Sequence, residues 1–94
     1  MQSTVRATLR VVNPAGLHAR PCHAVVTLAL RHRAELAIEY GGRRVNGKSI
    51  LELMTLSAAH GAELEVEANG DDAEPLVAEL SQLFGSGFGE LDRD

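Results

Sequence analysis

The sequence predicts an α+β fold, an open-faced β-sandwich in which a four-stranded, mostly antiparallel sheet carries three helices on one face. Segments that alternate apolar and polar residues have the period of half-buried strands. Other segments repeat apolar residues at helical spacing. Turn residues separate these segments in the order βαββαβα, and one sheet with all helices on a single face buries every apolar stripe.

The first half of the chain supplies a strand, a helix and a hairpin. Residues 4–12 alternate in polarity and predict the first strand. The sequence NPAG is typical of a turn. Helical spacing then runs from His18 to about Arg31, and the cations that close this segment suit the negative end of a helix. Residues 34–40 predict the second strand, and GGRR predicts a hairpin turn into a short strand at residues 43–45.

The second half of the chain supplies a helix, a strand and a helix. A second helix is predicted over residues 49–57. The sequence HGAELEVEA, residues 60–68, has the clearest strand alternation in the chain, with glutamates on its polar face. Asp71 or Asp72 can cap a last helix that runs to Phe84.

Length and composition indicate a small globular protein. The 94 residues suffice for one domain, so we expect a single domain over residues 1–94 with a glycine-rich tail at about residues 85–94. Apolar residues make up 45% and charged residues 23%, a globular rather than a disordered balance. One cysteine cannot form an internal disulfide, which indicates a reducing compartment. No signal peptide or membrane span is recognisable, so we expect a cytoplasmic protein.

The charge pattern argues against nucleic-acid binding. The formal net charge is −4, and the chain has two Phe, one Tyr and no Trp to stack on bases. The outward glutamates of the fourth strand would repel a phosphate backbone. We expect them to pair across strands with arginines of the solvent face: Arg6, Arg10, Arg43 or Arg44.

The stretch GLHARPCH, residues 16–23, places the chemistry at the start of the first helix. If His18 is the N-cap, the next backbone N–H groups have no partner within the helix and form an anion site. Pro21 fits the first turn because its missing N–H costs nothing there. Arg20 adds a charged fork that matches phosphate oxygens. An imidazole is a fair nucleophile at neutral pH, so the motif predicts a phosphoryl group carried on His18.

Two other interpretations of these residues stay open at this point. In the first, His18 is a polar N-cap and Arg20 a solvated side chain. In the second, His18 and Cys22, four residues apart, hold a metal, although two ligands are too few for a stable zinc site. Because Cys22 falls on the inward face, the pattern favours a buried small hydrophobic residue there.

From about Val5 to Phe84 the chain resembles the HPr family of histidine-containing phosphocarrier proteins. GLHARP resembles the active-site loop of this family, and VNGKSILELMTLSAAHGAELEVEANG is similar to its second half. The resemblance implies that phosphorylated enzyme I, charged from phosphoenolpyruvate, donates to His18, and that an enzyme IIA protein receives the group. It matches Arg20 to the arginine that assists phosphate, and it implies neither a cofactor nor a metal.

The second helix carries two further family features. Ser49 matches a serine that an ATP-dependent kinase phosphorylates in some lineages, although a plain N-cap serine explains the residue equally well. Other residues resemble the surface on which partners dock: Ile50, Leu51 and Met54 on the second helix, with Ala19, His23 and Thr27 on the first. Partial exposure is expected for Leu51 and Met54, since methionine adapts to several partners.

The branch of the family stays open. The tail LFGSGFGE resembles the nitrogen-type branch, whose relay is regulatory, whereas the segment around Ser49 resembles the sugar-transport branch. Cys22 and His23 depart from the family pattern of small apolar residues after the proline. A binding protein of the same fold, regulated through Ser49, is a further alternative. We expect a monomer that carries phosphate without being an enzyme.

Overall fold

A computed structural model describes residues 3–90 of the chain. The strands are β1 (Ser3–Arg10), β2 (Glu35–Tyr40), β3 (Arg43–Asn46) and β4 (Glu63–Gly70). The helices are α1 (Ala19–Ala29), α2 (Ile50–Met54) and α3 (Ala73–Gly85), followed by a 3-10 turn at Gly87–Gly89 that we call the Phe88 turn. The strands form an antiparallel sheet in the order β1-β4-β2-β3, and the predicted fold class is confirmed.

The helices cover one face of the sheet and bury an aliphatic core. Each helix inserts its predicted apolar stripe, so that Val25 of α1, Leu53 of α2 and Phe84 of α3 are all buried. Burying a side chain of this size contributes about 1.5–3 kcal/mol. The strands contribute the inward members of their alternating patterns: Leu9, Leu36, Ile38, Val45, Leu64, Val66 and Ala68.

The outer face of the sheet carries the predicted cross-strand pairing. Glu67 of β4 lies between two arginines: Arg6 on β1, with Nη2 2.7 Å from the carboxylate, and Arg44 on β3. The hydrogen bond from Arg44 and then that from Arg6 lower the pKa of Glu67, although desolvation opposes them. Arg43 instead donates to the hydroxyl of Thr55 at 3.1 Å. The charges therefore tie both edge strands to the central β4.

The predicted ends of the first two helices are both too late. Helix α1 ends at Ala29 rather than near Arg31, and the cations that follow lie in a turn beyond its C-cap, Leu30. Helix α2 ends at Met54 because the next N–H groups bond three residues back instead of four. Ser57 then adopts a left-handed φ of 52°, which no helix can continue.

Asp72 occupies the N-cap position of α3 but does not cap it through its side chain. Its carboxylate accepts hydrogen bonds from the backbone N–H groups of Arg33, at 2.9 Å, and Ala34, at 2.8 Å. The bond from Arg33 is the main reason why the pKa of Asp72 lies below its usual value. The aspartate therefore joins the start of α3 to the start of β2 instead of satisfying its own helix.

Within the predicted glycine-rich tail, Gly85 is the last residue of α3 and residues 87–89 form the Phe88 turn. The chain turns back because Gly87, Phe88 and Gly89 have φ values of 65°, 58° and 76° in succession. The ring of Phe88 then contacts the ring of Phe84 edge-on at a centroid distance of 4.9 Å. Residues 91–94 of the predicted tail lie outside the described part of the chain.

Residues 3–90 contain no helix that is both long and apolar enough to cross a lipid bilayer.

Gly16 is a position in the loop before α1 where the backbone requires glycine. Its φ is +76°, and a Cβ at this position would lie 2.8 Å from the carbonyl oxygen of Ala58. We expect Gly16→Ala to lower the free energy of unfolding by about 2–4 kcal/mol, because it adds a backbone clash to the left-handed strain. Gly41→Ala is the matched control, since its φ is +60° and nothing lies within 4 Å of an added Cβ.

The control variant should lose only about 1 kcal/mol, the cost of the left-handed backbone alone. Urea denaturation of the two variants measures the difference directly. Equal losses for both variants would show that the contact with Ala58 carries no energetic weight.

Candidate functional site

His18 is the N-cap of α1, as the sequence predicts. Its backbone is extended, with φ −85° and ψ −167°, and its carbonyl accepts the first helical hydrogen bond from Cys22 at 3.0 Å. The N–H groups of Ala19 and Arg20 therefore precede the first bond of the helix, and Pro21 has no N–H to satisfy. The imidazole makes no capping bond, which leaves both ring nitrogens available for other contacts.

The loop that leads into α1 is fastened to the protein by backbone hydrogen bonds. Leu17 N–H donates to the carbonyl of Ala58 at 2.8 Å, and His18 N–H donates to the carbonyl of Gly16 at 3.0 Å. Asn13 is fully buried beneath the loop, and its Nδ2 donates to the same Gly16 carbonyl at 2.7 Å. These bonds fix the direction in which the side chain of His18 leaves the backbone.

A carboxylate from the far end of the described chain contacts the histidine. Nε2 of His18 lies 3.0 Å from Oε2 of Glu90, and the other oxygen, Oε1, accepts a hydrogen bond of 3.0 Å from Nδ2 of Asn13. Desolvation opposes ionisation of Glu90, but the hydrogen bonds from Asn13 and His18, together with the charge of Arg20, lower its pKa overall. Glu90 is thus a carboxylate at neutral pH.

Sequence reasoning missed Glu90, and it treated Asn13 only as the start of a turn. No periodic pattern connects Glu90 with a histidine 72 positions earlier. The sequence GFG just before Glu90 could have indicated this contact. Two glycines allow the chain to reverse direction, and the aromatic residue between them can pack on the core and hold the turn in place.

The side chain of His18 lies on a ridge between two shallow grooves, and 38% of it is exposed. One groove, of about 340 Å³, separates the start of α1 from Met54 on α2. The other, of about 680 Å³, lies between α1 and the Phe88 turn, and its walls include Arg20, His23 and Glu90. The histidine is therefore open to another macromolecule rather than enclosed in a small-molecule pocket.

The residues predicted to form a docking surface flank this ridge. Ala19, His23 and Thr27 are exposed on α1. On α2, Leu51 is 80% exposed and Met54 43% exposed, as expected for both. Ile50 differs from its neighbours, because it is half-buried and contacts the hydrophobic core.

Ser49 is the N-cap of α2, and its hydroxyl is engaged in that role. Its Oγ accepts a hydrogen bond of 3.2 Å from the backbone N–H of Glu52. The carboxylate of Glu52 reaches back to the backbone N–H of Asn46 at 3.0 Å. The arrangement resembles a capping box displaced by a few residues. The half-buried serine thus satisfies the first turn of α2 in the unmodified protein.

The structure separates Cys22 from the histidine chemistry. Cys22 is fully buried, and its Sγ donates to the carbonyl of Leu17 at 3.5 Å. Burial raises the pKa of the thiol to about 11, so it is not a thiolate at neutral pH. Across residues 3–90, no three or more His, Cys, Asp or Glu side chains come together in a group that could hold a metal ion.

Comparison with known proteins gives the family. The family profile described as "PTS HPr component phosphorylation site" matches residues 5–86. The chain belongs to the HPr family. The HPr of Chlamydia muridarum is 34% identical over 85 residues, which cover 90% of this chain and 82% of the relative. The HPr of Neisseria meningitidis serogroup A is 35% identical over 86 residues, covering 92% and 97%.

Solved structures agree with this assignment to the HPr family. The crystal structure of HPr-C-His from Thermoanaerobacter tengcongensis superposes with a TM-score of 0.88 at 35% identity, covering 92% of this chain and 97% of that one. Crh of Bacillus subtilis, described as a catabolite repression protein and a swapped dimer, gives a TM-score of 0.71 at 32% identity, covering 79% and 85%. The general role of an HPr, that of a phosphocarrier in the phosphotransferase system, therefore applies to this chain.

The alkylation rate of the Cys22 thiol tests whether this side chain is buried on the inner face of α1 and away from His18. We expect iodoacetamide at pH near 8 to label the native protein at least about a hundredfold more slowly than the unfolded chain, because both burial and the raised pKa suppress the thiolate. Intact-mass measurement with and without denaturant gives the ratio. Rapid labelling of the native protein would place Cys22 at the surface, within reach of His18.

Proposed function

We propose that His18 accepts a phosphoryl group from phosphorylated enzyme I and passes it to an enzyme IIA protein. The observation that carries this proposal is the start of α1, where a partly exposed imidazole stands beside backbone N–H groups that the helix does not use. An N-cap histidine without such an exposed ring would be a purely structural residue. Arg20, in the first turn of α1, supplies positive charge beside the groove between α1 and the Phe88 turn.

The local field at the helix start favours a phosphoryl group despite the negative charge of the whole chain. The macrodipole and free N–H groups at a helix N-terminus stabilise an anion by about 0.3–1 kcal/mol, and by up to about 2 kcal/mol where water is partly excluded. The guanidinium of Arg20 can hold two phosphate oxygens at once. A carrier must also release its cargo, so modest stabilisation suits the role better than a closed anion pocket.

Docking of the partner proteins would use the surface on both sides of the His18 ridge. The exposed side chains of Leu51 and Met54 are apolar, and their burial under a partner would provide affinity without specific polar contacts. Ala19, His23 and Thr27 extend this surface along α1. Enzyme I and enzyme IIA use it in turn, since each needs the same histidine.

The proposal also includes the domain organisation, oligomeric state and cellular location of the protein. Residues 1–94 act as one phosphocarrier domain, a monomer in the cytoplasm, and not as an enzyme, because other proteins charge and discharge His18. Crh of Bacillus subtilis is described as a swapped dimer, which makes the oligomeric state worth measuring by light scattering. The relay can be sugar-transport or nitrogen-type. The enzyme I and enzyme IIA pair that supports continuous phosphotransfer through His18 identifies which one it is.

Ser49 provides a second, regulatory site within this proposal. A phosphate on its hydroxyl would add about two negative charges at the start of α2. The neighbouring Leu51 is part of the proposed docking surface, so the added charge would weaken apolar docking there. Incubation with ATP and native cytosol tests the idea, since it fails if Ser49 stays unmodified in every metabolic state.

His18→Ala should abolish phosphate acceptance and leave the fold intact. The ring contacts only partly buried atoms, so the unfolding midpoint should stay close to that of the native protein. Intact mass after incubation with phosphoenolpyruvate and enzyme I measures acceptance, and an acid-labile phosphate that requires His18 is the expected result. Phosphate on the variant would move the acceptor elsewhere, and a large loss of stability would contradict the exposed site.

Arg20→Lys should slow transfer from enzyme I by about tenfold, because a point charge replaces a planar fork. Rapid-quench kinetics with a limiting amount of phosphorylated enzyme I resolves this step from docking. Arg31→Lys is the matched control, since Arg31 is exposed in the turn after α1 and lies away from the helix start. An unchanged rate for the Arg20 variant would remove the guanidinium from the mechanism.

A further inference from the structure

We infer that Glu90 is a positioning residue for phosphotransfer: its carboxylate keeps a proton on Nε2 of His18, so that Nδ1 is the atom that attacks phosphorus. The inference rests on the proposed function of His18 and adds a residue that belongs to neither the GLHARP motif nor the first helix. It begins from one contact, the 3.0 Å separation between Nε2 of His18 and Oε2 of Glu90.

The ionisation state of the Glu90 carboxylate decides which ring nitrogen of His18 bears the proton. An ionised carboxylate accepts hydrogen bonds and cannot donate one. Because the pKa of Glu90 is lowered, its Oε2 can contact Nε2 only as an acceptor, so Nε2 carries hydrogen. In the neutral ring the lone pair then resides on Nδ1. The same logic orients the histidine of a serine protease through its aspartate.

The carboxylate itself is held in place by the buried side chain of Asn13. Its second oxygen accepts from Nδ2 of Asn13, and that amide group also donates to the carbonyl of Gly16. Two acceptors therefore fix the orientation of the Asn13 amide. Glu90 therefore connects the buried Asn13 side chain to the partly exposed imidazole of His18.

The Phe88 turn delivers Glu90 to this position. Glu90 N–H donates to the carbonyl of Gly87 at 2.9 Å, and Gly89 N–H donates to that of Ser86 at 3.3 Å. The left-handed conformation of Phe88 costs about 1–2 kcal/mol. Contact between its ring and that of Phe84 offsets this cost. Phe88 is thus a strained residue that is anchored to the core two positions before Glu90. Such an anchored strain indicates that the fold holds Glu90 against His18 in a defined position.

The transfer step balances without any proton transfer. The lone pair of Nδ1 forms the new N–P bond, and the electron pair of the breaking N–P bond leaves with the nitrogen of the donor protein's phosphohistidine. The donor ring carries a proton on its other nitrogen and therefore departs as a neutral imidazole. Nε2 keeps its hydrogen throughout, so the ring becomes a phosphoimidazolium cation. The carboxylate of Glu90, in contact with Nε2, stabilises the positive charge that develops there.

Glu90→Gln provides a sharp test because Asn13 dictates how the new amide must turn. The Asn13 amide donates, so the introduced carbonyl oxygen would face Asn13 and the introduced NH₂ would face Nε2 of His18. Nε2 would then have to accept, and the ring proton would move to Nδ1. Glu90→Ala removes the partner without imposing the opposite tautomer, and should therefore be the milder change.

The experiment measures ¹⁵N shifts of the histidine rings in the full chain, in mildly alkaline buffer, and phosphorylation by phosphoramidate, a small N–P donor that releases ammonia. We expect the Nε2–H tautomer in the native protein and Nδ1–H in Glu90→Gln. Phosphorylation should slow by about tenfold in Glu90→Ala and by about a hundredfold in Glu90→Gln. Glu79→Gln is the matched control, since Glu79 contacts His32 at 3.3 Å and should change only the signals of that ring.

An unchanged His18 tautomer in Glu90→Gln, or an alanine variant at least as slow as the glutamine variant, would overturn the inference. The tautomer is read from unphosphorylated protein, so this outcome is separate from failure of the proposed function. If His18→Ala accepted phosphate as well as the native protein, the carrier site itself would be wrong, whatever the tautomer of His18.

Discussion

The backbone of His18 is the constraint on which the functional part of the structure depends. Gly16 takes a left-handed conformation against the carbonyl of Ala58, and the next residue donates to that same carbonyl. The chain is thereby extended at His18 at the point where α1 begins. An extended N-cap projects its side chain away from the helix axis while its own carbonyl starts the helical ladder. The open N–H groups, the exposed ring and the position of Arg20 all follow from this one geometry.

The sequence was sufficient for the fold because the relevant signals are local. Alternation in HGAELEVEA identifies β4, and the inward members of that pattern, Leu64 and Val66, are buried. The GLHARP motif identified the N-cap for the same reason, since capping depends on a few neighbouring residues. Helix ends were predicted less well. The short α2 ends at Met54, and Ser57 soon after it has a left-handed backbone. Nothing about a serine in the sequence predicts that conformation.

What the sequence could not supply were contacts between distant segments. Asp71 or Asp72 was expected to cap α3. Asp72 occupies the N-cap position, but its carboxylate accepts from the backbone of Arg33 and Ala34 because the fold brings the start of β2 beside it. Glu90 contacts His18 only once the chain has reversed direction at Phe88. Both cases concern a carboxylate whose choice of partner is decided by tertiary structure. Composition identified a glycine-rich tail there but not the Phe88 turn, because glycine signals freedom of conformation, not the conformation adopted.

The Phe88 turn makes the contact between Glu90 and His18 depend on chain length more than on composition in this region. Between the ring anchored on Phe84 and the carboxylate of Glu90 lie one glycine and a few backbone bonds. One inserted residue would move the carboxylate by up to about 3.5 Å along the chain, which exceeds the tolerance of a hydrogen bond. A deletion would have a comparable effect in the opposite direction. The number of residues between Phe84 and Glu90 therefore decides whether the carboxylate reaches His18.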